Sequence, residues 1–211
     1  MKALLLLISL LLISISKYEP DTQASESTAT KEQVIREKLR ITGDFNGDGK
    51  PESLKERYVH STSHAEIELP DPDKIEYDSL VSLAVSSHPK VYLQSNDDEI
   101  PNLHMAHGGQ LFGLCWLKNE GDINGDGADE ISLVLDWADW SNLNTCRIFS
   151  LKNNQWKQIG SFSIGEWQMY PSEDECLFEG FIHQDTLGNF YVETYDWEAG
   201  LVVQKELQLD K

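Results

Sequence analysis

An acidic, glycine-rich stretch that occurs twice constrains the fold of this chain more than any other feature. It reads GDFNGDGKPE from Gly43 to Glu52 and GDINGDGADE from Gly121 to Glu130. Seven of the ten positions are identical, and the copies start 78 residues apart. Glycine and aspartate disfavour helix interiors and buried strands, and Asn-Gly and Asp-Gly pairs are typical of tight turns. The sequence therefore predicts two related loops.

The side chains of these loops predict a metal site with oxygen ligands. Counted from the first aspartate, oxygen-bearing side chains occupy positions 1, 3, 5 and 9, namely Asp44, Asn46, Asp48 and Glu52, then Asp122, Asn124, Asp126 and Glu130. Alternate positions of a tight turn project to one side, and the glycines permit positive-φ conformations without a Cβ clash. The main-chain carbonyl at position 7, which belongs to Lys50 or Ala128, would supply a further oxygen. Ca²⁺ prefers such ligands, whereas zinc would require His or Cys.

Two classes of calcium loop begin with the pattern D-x-N-x-D-G. An EF-hand or dockerin loop also needs an acid at position 12 and a helix after it. Position 12 is Lys55 in the first copy and Leu133 in the second. The residues that follow the second copy, Glu130 to Trp137, alternate as in a strand. Both observations argue against an EF-hand.

The loops instead resemble the D-x-[DN]-G-D-G-x-x-[DE] calcium loops of FG-GAP and VCBS repeats, which occur in integrin-α-like β-propellers. The resemblance implies that each loop joins two strands and that position 9 gives the last carboxylate ligand. It also implies an extracytoplasmic binding or adhesion role more than catalysis. Two repeats cannot close a propeller, which takes about four to eight blades. We therefore expect a small antiparallel β-meander or sandwich, with partial propeller-like repeats as the alternative.

The chain after Leu39 alternates short predicted strands with turn signals, which is typical of a mainly-β domain. The predicted strands are Ser53–His60, Val91–Leu93, Leu111–Leu117, Glu130–Trp137, Cys146–Leu151, Trp156–Ile164, Phe181–His183, Phe190–Tyr195 and Leu201–Leu209. A short helix is predicted at Lys31–Leu39, and no later stretch has helical length and periodicity. We expect one mainly-β domain over residues 31–211. Because clearer strands flank the second loop, we expect it to be the better metal site.

The N-terminal segment has the pattern of a signal peptide. Lys2 precedes 13 apolar residues and serines from Ala3 to Ile15, and a bilayer-spanning helix needs roughly 20 residues. We expect a signal peptide at 1–16, with an uncleaved signal anchor as the alternative, and a disordered leader at 17–30. The protein would then be exported, periplasmic or extracellular, without a stable membrane span after cleavage.

The charge of the chain limits its partners. The 36 acidic residues outnumber the 17 basic ones, which gives a net charge of −19. Such a charge opposes binding to nucleic acid or to an anionic membrane surface. It suits a protein that holds divalent cations, and it equally suits any acidic secreted protein.

Three cysteines, Cys115, Cys146 and Cys176, leave the disulfide question open. An oxidising compartment would allow one pair to bridge. If the strands of Cys115 and Cys146 flank a third strand, about two strand spacings separate them, which exceeds the reach of a disulfide. No pairing is therefore favoured.

Several further residues are candidates for sites, with packing as the simpler alternative for each. His104 and His107 are three residues apart, but the following Gly108-Gly109 favours a loop over a metal site on a helix. The tryptophans are candidates for an aromatic platform that binds sugar or peptide, or for ordinary core residues. They are Trp116, Trp137, Trp140 and Trp167.

These observations together predict an exported, calcium-binding β domain with a binding, adhesion or structural envelope role. The expected partners are calcium and an extracellular protein or glycan. The chain lacks the common hydrolase and nucleotide-binding motifs. The alternative is a secreted hydrolase acting on polysaccharide, in which calcium only stabilises the fold.

Overall fold

The structure, a computed structural model, describes residues 35–71, 74–108, 110–139, 142–169 and 178–210. These ranges belong to one compact unit, Gln33–Lys211. The predicted signal peptide and leader lie outside them and stay predictions. Among the residues described, no helix combines the length and apolar character needed to cross a bilayer.

The fold is mainly β and antiparallel, as the sequence predicts. Three sheets contain the strands. The first sheet consists of β1 (Arg40–Gly43), β2 (Glu52–His60), β3 (Pro89–Ser95) and β4 (Leu103–His107), and the second of β5 (Leu111–Gly121), β6 (Glu130–Trp137), β7 (Leu143–Lys152) and β8 (Gln155–Gly165). The third sheet consists of β9 (Ile182–Gln184), β10 (Phe190–Asp196) and β11 (Leu201–Glu206), with β10 in the middle.

The first and second sheets have the same architecture, which explains the repeated loop. Each is a four-stranded meander in which consecutive strands are neighbours. In each, the acidic loop joins the first strand to the second, and the strands close on equivalent pairs, Gly43 with Glu52 and Gly121 with Glu130. The 78 residues between the starts of the two loops therefore equal the length of one meander plus the connection to the next.

The second sheet is the middle layer of the domain, because both of its faces are buried. Leu133 on one face packs in a core with Leu54 of the first sheet. Ile148 on the other face packs in a core with Val192 of the third sheet. Strand β6 is accordingly buried along its first six residues, whereas its alternating sequence predicts burial of one face only.

A helix between β2 and β3, which the sequence analysis missed, lengthens the first meander. Helix α1 spans Tyr77–Ser87, and its Leu80 and Ala84 are buried in the core. The residues Tyr77, Leu80, Val81 and Ala84 have the i, i+3, i+4, i+7 spacing of a helix. The preceding prolines and the short apolar run Val81–Val85 masked this signal.

Three smaller features also differ from the prediction. The described part of the predicted helix Lys31–Leu39 is not helical, since Ile35 forms a β-bridge with Pro70. Residues 103–107 form strand β4 rather than a loop. The predicted strands Cys146–Leu151 and Trp156–Ile164 leave a four-residue turn, but the hairpin between β7 and β8 turns on Asn153 and Asn154 alone, at positive φ of 51° and 59°.

The positions of two cysteines agree with the distance argument. Cys115 lies on β5 and Cys146 on β7, with β6 between them, and both are free thiols. Burial raises the pKa of each thiol, so neither is a reactive nucleophile. Cys176 lies outside the described residues.

A buried ion pair joins the N-terminal part of the domain to the first two sheets. Glu56 on β2 is fully buried, and its Oε1 lies 2.7 Å from Nη2 of Arg36. Its carboxylate also accepts the main-chain N–H groups of Leu39 and Leu114. A Cβ at Gly113 would lie 2.3 Å from both charged groups, so glycine is needed there.

Removal of the arginine is expected to destabilise the domain strongly. Arg36→Met leaves the Glu56 carboxylate buried without its counter-charge, which should lower the free energy of unfolding by about 3 kcal/mol. Urea denaturation measures the change. The matched control is Lys38→Met, which breaks the partly exposed pair with Glu66 and should cost about 1 kcal/mol or less. Equal losses in the two variants would contradict the role assigned to the Arg36–Glu56 pair.

Candidate metal centre

The two acidic loops share one internal hydrogen-bond pattern. The carboxylate at position 1 accepts the N–H groups of positions 5 and 6, and the amide oxygen at position 3 accepts that of position 5. The carboxylates at positions 5 and 9 accept the N–H groups of positions 7 and 2. These bonds measure 2.8–3.0 Å in the first loop and 2.9–3.2 Å in the second. The side-chain oxygens therefore turn into each loop.

The glycines at positions 4 and 6 allow this arrangement. Gly47 and Gly49 have φ of 74° and 84°, and Gly125 and Gly127 have φ of 78° and 94°. Side chains other than glycine rarely adopt these values. The same backbone thus recurs in both loops, as the sequence predicts.

The three carboxylates of the first loop converge on one point. Oxygen atoms of Asp44, Asp48 and Glu52 all lie within 4.8 Å of one another. Oxygens on opposite sides of a Ca²⁺ ion lie about 4.6–5.2 Å apart, twice the usual bond length. The amide oxygen of Asn46 also faces the loop interior, where it accepts the N–H of Asp48. The spacing therefore fits a cation bound by oxygen ligands.

The second loop differs at its last ligand. Nδ2 of Asn124 donates to Oε1 of Glu130 at 2.5 Å, and Ser150 is a further hydrogen-bond partner of this carboxylate. Among the residues described, no second group of three acids is as close as that of the first loop. The geometry thus favours the first loop, in contrast to the expectation from the flanking strands. Well-formed strands fix the ends of a loop but not the partners of its side chains.

The carboxylate at position 9 is the buried member of each ligand set. Glu52 is 4% exposed and Glu130 is fully buried. Burial raises the pKa of Glu52. It raises the pKa of Glu130 to about 7, which the hydrogen bond with Ser150 partly opposes. A cation among these oxygens would favour the ionised form of both groups.

A lysine lies against the position 5 carboxylate in each loop. Lys50 Nζ lies 3.0 Å from Asp48 Oδ2, and Lys152 Nζ lies 3.5 Å from Asp126 Oδ2. The hydrogen bond from Lys50 lowers the pKa of Asp48. Such exposed pairs contribute little to stability, so each lysine can leave when a divalent cation binds.

The residue at position 2, which the sequence analysis overlooked, anchors each loop to a core. Phe45 is fully buried and its ring lies 6.4 Å from that of Trp156 on the second sheet. Ile123 is 7% exposed and joins the core beneath the third sheet. A single apolar residue inside a polar loop is the signal for this role.

Asp129 links the two loops directly. Its Oδ2 accepts the N–H of Asp44 at 3.0 Å and Nδ2 of Asn119 at 2.8 Å. Its own N–H donates to the carbonyl of Asp44 at 2.8 Å. A Cβ at Gly43 would lie 2.6 Å from this carboxylate, so the contact requires glycine there. The two candidate sites therefore share a main-chain and side-chain contact.

The histidine candidates do not form a metal site on a helix, because both lie on strand β4. The exposed His104 packs against Tyr92, with ring centroids 5.3 Å apart. Partial desolvation by its neighbours and then the Lys90 charge lower the pKa of His104, which favours its neutral form at pH 7.

The tryptophans divide into core and surface residues. Trp137 packs against the main core, and Trp116 packs against Phe181 at 5.4 Å between centroids. Trp167 is 50% exposed. Trp140 lies outside the described residues.

The carboxylate that bears most on the hydrolase alternative is Asp136. Burial raises its pKa to about 6, nearby Arg36 opposes the rise, and the nearby Glu166 carboxylate adds to it. Glu166 in turn accepts Nδ2 of Asn144 at 3.2 Å. The Asp136 carboxylate thus belongs to the charge network around the Arg36–Glu56 pair. The hydrolase alternative stays a prediction.

Comparison with known proteins finds no relative, since no family model, curated protein or solved structure matches this chain. The resemblance to FG-GAP and VCBS repeats thus rests on the two loops and stays a prediction.

Loss of the Asp129 side chain is expected to weaken the joint between the loops. Asp129→Ala leaves the Asp44 N–H and the Asn119 amide without their acceptor, which should lower the free energy of unfolding by about 2 kcal/mol. Urea denaturation in EDTA measures this cost without any metal contribution. Asp98→Ala is the control, because Asp98 is exposed and should have an effect below about 0.5 kcal/mol. A loss no larger than that of the control would show that the contact does not join the loops.

Proposed function

We propose that this chain is an exported, calcium-binding β domain of the FG-GAP/VCBS type, in which calcium stabilises the contact between the first and second sheets. The observation that carries the proposal is the repetition of one loop with the same internal hydrogen bonds. In the first loop, three carboxylates also lie within 4.8 Å of one another.

The donor set supports calcium over other common metals. The ligands in the first loop would be Asp44, Asn46, Asp48, Glu52 and the carbonyl of Lys50, and those in the second Asp122, Asn124, Asp126, Glu130 and the carbonyl of Ala128. Five oxygen-bearing residues, three of them carboxylates that can each bind through one or two oxygens, suit the six to eight ligands of Ca²⁺. Mg²⁺ usually retains several waters and uses fewer protein ligands.

Calcium would act on the fold rather than on a substrate. Each loop closes the first strand pair of its sheet, and Asp129 joins the loops to each other. A cation that neutralises the clustered carboxylates removes their repulsion and fixes the loop, so its binding free energy adds to the stability of the folded state. A calcium site that stabilises the fold suits the high calcium concentration outside the cell, in agreement with the predicted signal peptide.

Calcium is expected to raise the melting temperature of the EDTA-treated protein. Binding at about 100 times the dissociation constant adds about 2.7 kcal/mol per site, which corresponds to a rise of about 5–10 °C for a domain of this size. Differential scanning calorimetry measures the rise, and titration calorimetry should give two sites. Equal melting curves in EDTA and in millimolar calcium would refute the proposal.

Single-loop variants test whether both loops contribute. Asp48→Ala and Asp126→Ala should each remove one site and part of the rise, and the double variant should remove all of it. Asp98 lies near Asn46 of the first loop but outside the ligand set. Asp98→Ala should therefore retain the full calcium-dependent rise in melting temperature. If neither ligand variant changes the calcium stoichiometry, calcium binds elsewhere.

An exposed aromatic cluster supports glycan binding as a second candidate function. Trp167 and Trp197 are 50% and 65% exposed. Each packs edge-to-face on Tyr195, at centroid distances of 5.6 Å and 5.5 Å. Exposed apolar patches of this kind mark interaction sites, and aromatic rings present an apolar face with a polar edge, which suits the apolar face of a sugar ring.

Replacement of the exposed indoles is expected to weaken retention on polysaccharide. In affinity electrophoresis, gels that contain soluble cellulose, xylan or peptidoglycan fragments should retard the parent protein. The double variant Trp167→Ala, Trp197→Ala should migrate farther than the parent in the same gels. We expect a loss of affinity of about tenfold, which corresponds to about 1.4 kcal/mol. Leu187→Ala is the control, since it removes an 85% exposed apolar side chain without a ring. If the parent protein migrates equally in gels with and without each polysaccharide, it does not bind these glycans.

A further inference from the structure

A cavity of about 320 Å³ opens between the first and second sheets. It lies beside strand β4, which is an edge of the first sheet. Six of its nine lining residues are apolar, among them Met105, Leu133, Leu135, Trp137 and Phe149. The volume is at the lower end of the range for small-molecule pockets, about 300–1,000 Å³. The cavity therefore has the size and lining of a site for a small apolar ligand.

One arginine is the exception in this apolar lining. Arg147 lines the cavity from strand β7, directly opposite Leu133 on β6. Its neighbours Cys146 and Ile148 are fully buried in the other cores. Alternation along a strand places Arg147 on the opposite face, the one directed at the first sheet.

One nitrogen of the partly exposed Arg147 guanidinium group, Nη1, is buried and has no hydrogen-bond partner within the described part of the chain. Arg36 and Arg57, by contrast, pair with Glu56 and Glu66. A buried charged donor without an acceptor costs free energy. This cost is removed if an anion occupies the cavity.

The other polar lining residues leave the cation unopposed. His104 and Gln158 also line the cavity. Since burial lowers the pKa of His104, it adds no second charge at pH 7, and Gln158 offers a neutral amide. No carboxylate of the described residues lines the cavity, although the chain as a whole carries a net charge of −19. The cavity is thus a positively charged site in an acidic protein.

We propose that this cavity binds a small organic acid with an apolar body, such as an arylalkyl or medium-chain carboxylate. The guanidinium of Arg147 receives the carboxylate, a group whose geometry it matches with two parallel hydrogen bonds. Trp137, Phe149 and Met105 contact the apolar body. This ligand class satisfies both the unpaired donor and the apolar wall, whereas an inorganic anion satisfies only the first.

The test compares an acid with its uncharged counterpart on the full chain in calcium-containing buffer. Titration calorimetry with 4-phenylbutyrate should give saturable binding at one site. The alcohol 4-phenylbutanol, which has the same body, should bind at least about tenfold more weakly. Sodium phosphate should not compete at equal concentration. Absence of saturable binding by 4-phenylbutyrate, or equal affinity for the alcohol, would overturn the proposal.

Variants assign the binding to Arg147 and to the cavity. Arg147→Met should weaken 4-phenylbutyrate by at least about tenfold and leave 4-phenylbutanol unchanged. It should also raise the melting temperature of the ligand-free protein, because it removes a buried hydrogen-bond donor that has no acceptor among the described residues. Arg40→Gln, which removes an exposed arginine of β1, should bind as the parent does.

A second variant fills the cavity and leaves its charge in place. Ala106→Trp places a large side chain on a residue of the lining and should abolish binding of both compounds. Retained binding in Ala106→Trp, or an acidic peptide that binds the β4 edge while 4-phenylbutyrate does not, would exclude the cavity as a small-molecule site.

Discussion

The glutamate that ends each acidic loop is the constraint on which the first two sheets depend. Glu52 and Glu130 are buried, each is the first residue of a second strand, and each pairs with the glycine that ends the first strand. Each carboxylate accepts the N–H of position 2. This bond fixes the side chain of position 2, which then enters a core. The polar end of the loop and its apolar anchor are therefore set by one hydrogen bond.

Buried charge in this protein is compensated by specific partners rather than by the overall charge balance. Glu56 has Arg36 and two main-chain N–H groups, and the pair connects the first and second sheets. The position 9 glutamates have main-chain donors but no cation within the described residues, and burial raises the pKa of both. The Arg147 guanidinium is the reverse case, since its buried Nη1 has no acceptor among the described residues. The loops and the cavity thus each contain buried polar groups without a partner of opposite charge in the described part of the chain. We propose a ligand for each, calcium in the loops and an organic acid in the cavity.

The sequence predicted what depends on local patterns and missed what depends on packing. Strand β6 was predicted at its observed bounds, because apolar and other residues alternate along it, which is typical of a strand with one buried face. The ligand positions and the glycine conformations followed from the loop sequence alone. Helix α1 was missed because prolines precede it, and the roles of Phe45, Ile123 and Asp129 depend on neighbours far away in the chain. The Arg147 cavity was not predictable, since its walls come from strands of two different sheets.

The two loops differ in sequence at position 8, where the second loop contacts the first. Position 8 is Pro51 in the first loop and Asp129 in the second, and proline has neither the N–H nor the carboxylate that Asp129 uses to reach Asp44. The second loop therefore supplies the side chain of this contact, and the first loop supplies only its main chain at Asp44. Asp44 is also the first proposed ligand, and its main chain is held on both sides by Asp129. Under the proposed calcium role, ordering of the second loop around its ion would position this ligand of the first. Binding at the two sites is then expected to be coupled, and by linkage the coupling must act equally in both directions.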